Sequence, residues 1–156
     1  MKMMKENDLT VGDWVHRHYN SIYEGEVSYD FRVTQLTRHY GDELLVWGES
    51  TDGKHHGNLG SISQIEPIEL TIEILEKNGW KNISNHTLQG RETYKLHIEQ
   101  NSFDYYVTIK LRDYFRLDSL DDRVYTLCNM QFGCNYVHEL QHALKLCGID
   151  KDFRLS

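Results

Sequence analysis

The stretch His138-Glu139-Leu140-Gln141-His142 has the residue types and spacing of a zinc hydrolase. In the pattern HExxH, two histidines four apart on a helix grip one zinc ion, and the glutamate activates the water bound to it. A catalytic zinc also needs a third protein ligand and an open position. Only 14 residues follow His142, Asp150 and Asp152 are the nearest carboxylates, and the metzincin continuation is absent. A structural site could instead draw on Cys134, His138 and His142, which would share a helix face if the helix began a turn early, with Cys128 as a fourth ligand. The spacing C-x5-C-x3-H-x3-H matches no common zinc framework.

A second group lies near the N-terminus. His16, Arg17, His18, Arg32, Arg38 and His39 are interleaved with Trp14, Tyr19, Tyr23, Phe31 and Tyr40. On a small barrel such residues stack bases or grip a peptide, and Trp14, Arg17, Tyr19 and Tyr40 form the candidate binding set. The plainer alternative has the aromatics building a core while the charges alternate outward. His55-His56 reads as an exposed loop tip. The sequence carries no phosphate-binding glycine loop, no G-x-S-x-G and no Cys/His dyad.

The elements that must position these residues are legible in outline. The C-terminal helix is predicted from about Tyr136 to Cys147, with Asn135 as N-cap, Gly148 at the left-handed C′ position and Ile149 against Leu144. At 100° per residue, Tyr136, Val137, Leu140, Ala143, Leu144 and Cys147 fall on one side, and His138, Gln141, His142 and Lys145 nearly opposite. This wheel puts both histidines towards water, and on that ground no metal is assigned. Cys128 and Cys147 then read as small core residues.

Before Pro67, the single proline, five short segments alternate apolar and polar residues: Val11–Val15, Ile22–Val27, Phe31–Leu36, Leu44–Trp47 and Ile62–Ile65. They predict a five-stranded, SH3-like or OB-like barrel over residues 1–68. Residues 69–156 read as a helix, three antiparallel strands and the closing helix. Thr71 is the N-cap of the first helix, and Asn78-Gly79-Trp80 its stop. Phe103–Leu111 alternates strictly, so Val107 and Ile109 should be buried, with Thr108 and Lys110 exposed. The third strand is placed from Val124 to about Met130. The fold class is α+β.

Composition narrows the function. The net charge is −7, with −5 on residues 1–68 and −2 on residues 69–156. Phosphate-backbone binding needs clustered cations, so nucleic acid is disfavoured as a partner. Three cysteines make no disulfide framework and point to a reduced, cytoplasmic setting. No apolar run reaches the ~20 residues of a membrane span, and no signal peptide is evident behind Met1.

Three segments carry a resemblance: Leu9–Val15, Ile65–Thr71 leading into Ile74–Trp80, and Asn135–Gln141. With these the chain resembles a family of small uncharacterised proteins from gut commensal bacteria, their prophages and related mobile elements. Asparagine commonly stands in that family where His142 stands here, so the resemblance weighs against a zinc site. It implies a phage or mobile-element origin and brings no activity with it. The expectation from sequence is a non-enzymatic protein acting through protein–protein contacts. The alternative is a zinc-dependent hydrolase using His138, Glu139 and His142, with Glu139 as the catalytic base.

Overall fold

The computed structural model describes residues 4–38, 42–83, 93–100, 103–119, 125–131 and 135–155. The chain forms two compact units: Met1–Glu69 with Tyr136–His138, and Leu70–Asn135 with Glu139–Ser156. Among the described residues it is predominantly antiparallel sheet, with five strands in each of two sheets and two α-helices. No described helix is long and apolar enough to cross a membrane.

The first unit contains β1 (Trp14–Ser21), β2 (Gly25–Thr37), β3 (Leu45–Ser50), β4 (His56–Ser61) and β5 (Ile65–Pro67). Its sheet order is β4-β3-β2-β1-β5. The two segments predicted at Ile22–Val27 and Phe31–Leu36 are one 13-residue strand, β2. Ile22 and Tyr23 lie instead in the turn before it, 90% and 91% exposed. β2 pairs with β1 over Gly25–Arg32 and with β3 over Phe31–Thr37, with a bulge between Val33 and Gln35. Ile62–Gln64, predicted as strand, is a 3₁₀ turn leading into β5. The core gathers Leu9, Val15, Phe31, Val33, Val46, Leu59, Ile62 and Ile65.

The Val11-Gly12-Asp13-Trp14-Val15 opening works through Asp13, which is fully buried. Its carboxylate accepts from the Thr10 backbone N–H at 2.8 Å and from the Thr10 hydroxyl at 3.2 Å. The Asp13 carbonyl accepts from Val33 N–H, and Gly12 N–H donates to the Val33 carbonyl, both at 2.8 Å. A buried charge is tolerable only when held by such donors. The segment is therefore a pinned turn that delivers the chain into β1.

The second unit contains α1 (Ile72–Lys77), β6 (Lys81–Asn82), β7 (Thr93–Gln100), β8 (Phe103–Lys110), β9 (Tyr114–Ser119), β10 (Tyr125–Met130) and most of α2 (Val137–Leu146). The sheet order is β10-β9-β8-β7-β6. The Thr71 hydroxyl accepts from Ile74 N–H at 3.3 Å, capping α1 as predicted. Both helices end in the predicted glycine motif. Trp80 N–H returns to Leu75 and Gly79 N–H to Glu76 in α1, while Ile149 N–H returns to Leu144 and Gly148 N–H to Lys145 in α2.

Two strands of this sheet, β6 and β9, are additional to the three predicted. The turn into β9 is Leu111-Arg112-Asp113, with Arg112 at φ 65°. A positive φ at a side-chain-bearing residue gives no glycine or asparagine signal to read. The buried face consists of cross-strand rows. Tyr94, Ile109 and Phe115 form one, Leu96, Val107 and Leu117 the next, and all six are buried. Thr108 and Lys110 are half-buried, not exposed. Long polar side chains cover that face: Lys95 Nζ sits 3.8 Å from the Tyr106 ring centroid, and Lys110 pairs with Asp113 at 3.6 Å.

Val107 is fully buried at the centre of its row. Val107→Asp should cost more than about 3 kcal/mol, because the charge gains no partner there. Thr108→Asp should cost less than half as much. Urea melts of the two variants compare them directly, and equal midpoints would contradict the assigned faces.

Candidate functional site

β1 reads Trp-Val-His-Arg-His-Tyr-Asn-Ser, and a strand sends alternate side chains to opposite faces. Trp14, His16 and His18 therefore share one face, and Val15, Arg17 and Tyr19 the other. The first face is hydrogen-bonded across the β1–β2 ladder. His16 Nδ1 lies 2.6 Å from Asp30, and His18 Nε2 lies 2.7 Å from Glu26. The Asp30 hydrogen bond outweighs burial and raises the His16 pKa above its ordinary value.

The second face begins as core, at Val15 opposite Phe31. One step along, Arg17 stands opposite Tyr29. This corrects the expectation that charges alternate outward: Arg17 continues the core face. Its guanidinium lies 4.9 Å from the Tyr19 ring centroid. Nε and Nη1 are shielded from solvent and have no hydrogen-bond acceptor among the described residues. Burial raises the Tyr29 pKa, with Tyr19 adding to the rise and Arg17 opposing it, so the phenol keeps its proton and remains a donor.

Gly60 makes the seat for Arg17. A Cβ at position 60 would stand 2.4 Å from Arg17 Nη1, and the backbone there has φ +132°. Only glycine satisfies both conditions. From the other side, the loop between β3 and β4 brings Lys54 and His55. The buried Ser50 hydroxyl donates to Asp52 at 2.6 Å and accepts from His55 N–H at 3.0 Å. The Ser50 bond, then that from Lys54 N–H, holds the Asp52 carboxyl below its usual pKa. His55 is stacked on Tyr29, with centroids 3.9 Å apart and planes 6° apart. The expected loop tip is thus half right: His55 is half-buried, while His56 is exposed at the start of β4.

Together these residues surround an open cavity of about 480 Å³, completed by Asn58 and Leu59. Its polar lining is Arg17, Lys54, His55, His56, Asn58 and two phenols. Among the described residues no carboxylate lines it, although the chain carries 24 acidic residues. Of the candidate binding set, Arg17 and Tyr19 meet here, Trp14 lies on the opposite face of β1, and Tyr40 is outside the described residues. None of the rest of the lining, Tyr29, His55 and Gly60 among it, was singled out as binding from sequence.

The HExxH stretch falls in α2, but not as the wheel predicts. His138 is 3% exposed, while Glu139 and His142 are half-buried. The wheel assumes that one side of a helix is covered. Here Val137 N–H donates to the Ile68 carbonyl at 2.9 Å and Tyr136 bridges Glu69, so backbone covers the first turn. The His138 and Tyr136 rings stack with centroids 6.0 Å apart. Cys134 is outside the described residues. Cys128 and Cys147 are half-buried, and are free thiols. Burial and the hydrogen bond with Cys128 push the Cys147 thiol up to about 12. A thiol that keeps its proton is a poor nucleophile and a poor metal ligand.

Among the described residues one group of three metal-ligating side chains converges: His97, Glu99 and Asp104, all exposed, with ligand atoms within 4.8 Å of one another. His138 and His142 belong to no such group. Exposed groupings of this kind form without an ion, and no metal site is assigned to this one. No protein-family model, curated protein or solved structure matches the chain.

Two predictions follow from these placements. His16→Gln should lower stability at about pH 6 by less than about 1 kcal/mol, since the pair is half-exposed. The folded pKa is raised, so the contribution is complete below the ordinary imidazole value and is lost as pH rises through the raised one. Urea midpoints of both proteins should converge by about pH 9, and a gap independent of pH would refute the pairing. His138→Gln should cost about 1–3 kcal/mol through its burial, and His142→Gln within about 0.5 kcal/mol. A helix held by zinc would instead lose stability with either change, and metal analysis of the purified protein would find the ion.

Proposed function

We propose that this chain is a non-enzymatic binding protein that docks a partner protein on its first unit, with an anionic side chain of the partner entering the Arg17 cavity. The observation that carries this reading is the lining: cationic and neutral polar side chains around an arginine, with no carboxylate among the described residues. Such a set can hold an anion, and it supplies no nucleophile paired with a base, as catalysis of acyl transfer would need. Ile22 and Tyr23, nearly fully exposed in the turn that follows β1, add apolar contact area of the kind protein interfaces use.

In this reading the first unit is a small SH3-like barrel. Its support is the order of strands: a four-strand meander, a 3₁₀ turn, and a last strand that returns to pair with β1. No zinc or other cofactor takes part. The cysteine content supports a cytoplasmic setting, and the resemblance of its three segments supports a phage or mobile-element origin.

The test is calorimetric. A short polyglutamate peptide titrated into the full chain should bind, and Arg17→Gln should weaken binding at least tenfold while thermal melts show a folded protein. Unchanged affinity in Arg17→Gln would remove the cavity from the docking surface.

A further inference from the structure

We infer that the anion taken by the Arg17 cavity is a phosphomonoester on the partner protein, such as a phosphorylated serine or threonine side chain; this rests on the reading of the cavity as a docking site. The argument begins with the number of donors. A carboxylate offers two oxygens and one negative charge. A phosphomonoester offers three oxygens and close to two charges at neutral pH. The cavity supplies a guanidinium, an ammonium, two phenols, two imidazoles and an amide. That is more hydrogen-bonding capacity than one carboxylate can use.

The charge balance points the same way. Arg17 stands on the core face, and among the described residues no acidic side chain lines the cavity that its guanidinium borders. On the other face of the same strand, His16 and His18 each meet a carboxylate. Within one strand, then, the outward imidazoles are matched by acids and the inward guanidinium is not. A doubly charged ligand is attracted more strongly to such a cationic lining than a singly charged one.

Nucleic acid fits less well. A phosphodiester carries one charge, and backbone binding needs a track of cations along several phosphates. Here the donors converge on one cavity, and the chain carries a net charge of −7.

The experiment uses the full chain labelled with ¹⁵N, at fixed ionic strength. Inorganic phosphate, O-phosphoserine, acetate, glutamate and adenosine monophosphate are titrated separately. Phosphate and O-phosphoserine should shift the resonances of Arg17, Tyr19, Tyr29 and Gly60 saturably, at least tenfold more tightly than acetate and glutamate. Arg17→Gln should abolish the shifts. Tyr19→Phe, which keeps the ring and the fold, should weaken them severalfold. Equal affinity for phosphate and acetate would overturn the phosphoryl inference and leave the docking reading intact. Failure of all five probes, together with failure of the polyglutamate peptide, would overturn both. Adenosine monophosphate binding tenfold more tightly than O-phosphoserine would make the ligand a nucleotide and overturn the assignment to a partner protein.

Discussion

Strand β2 changes partners at Phe31, and the first unit is organised around that exchange. Residues Gly25–Arg32 pair with β1 and residues Phe31–Thr37 with β3, so Phe31 and Arg32 have strand partners on both sides, and Val33, set against Gly48, is also bonded to Gly12 and Asp13. Phe31 is fully buried. Its ring occupies the place of a side chain at position 48, where a Cβ would stand 2.4 Å from Phe31 Cδ2 and 2.5 Å from the Arg32 carbonyl oxygen. Gly48 thus lets an aromatic ring settle over β3 at the point where the strand hands over. Interiors are packed too tightly for the ring and a methyl group to share that space.

The cavity inherits its position from this arrangement. Val15 opposite Phe31 is a fully buried pair, and Arg17 opposite Tyr29 is the next pair outward on the same face. Tyr29 remains in ring contact with Phe31, with centroids 6.1 Å apart, and carries His55 on its other side. A rigid core therefore leads without a break into a polar, cationic rim. Binding groups held by packed neighbours lose little freedom when a ligand arrives. The expense is local, since a guanidinium with unmatched N–H groups lowers stability. Departures from local packing rules of this kind concentrate at functional sites.

What the sequence could and could not reveal follows from how each feature is encoded. Helix ends depend on a few adjacent residues, so Thr71, Gly79 and Gly148 were legible. Val107 and Ile109 were legible because nine residues alternate without a fault. The hairpin into β9 was not, since Arg112 takes a left-handed conformation that its residue type does not announce. The orientation of Arg17 was hidden for a different reason. In Val15-His16-Arg17-His18-Tyr19, polar residues occupy both phases of the alternation, and the phase is decided by Asp30 and Glu26, which lie across the ladder and far along the chain. His138 was misplaced because a helical wheel has no knowledge of the backbone at Ile68–Glu69 that covers the first turn of α2. Local encoding can be read, whereas coverage by distant segments cannot.

The opposition between a donor-lined cavity and a net charge of −7 also has a consequence for how such a site works. At physiological ionic strength charges are screened beyond about 8 Å. An approaching anion first meets the field of the whole acidic chain, which slows encounter. Within the cavity it meets Arg17, Lys54 and the phenols at hydrogen-bonding range, where screening is weak. Under the proposed anion-binding reading, the long-range field would repel while the short-range contacts attract, so affinity would reside in slow release, not in fast capture. That division suits discrimination. A ligand unable to engage the guanidinium and the phenols together would gain nothing from the surrounding field, and would be turned away by the same net charge.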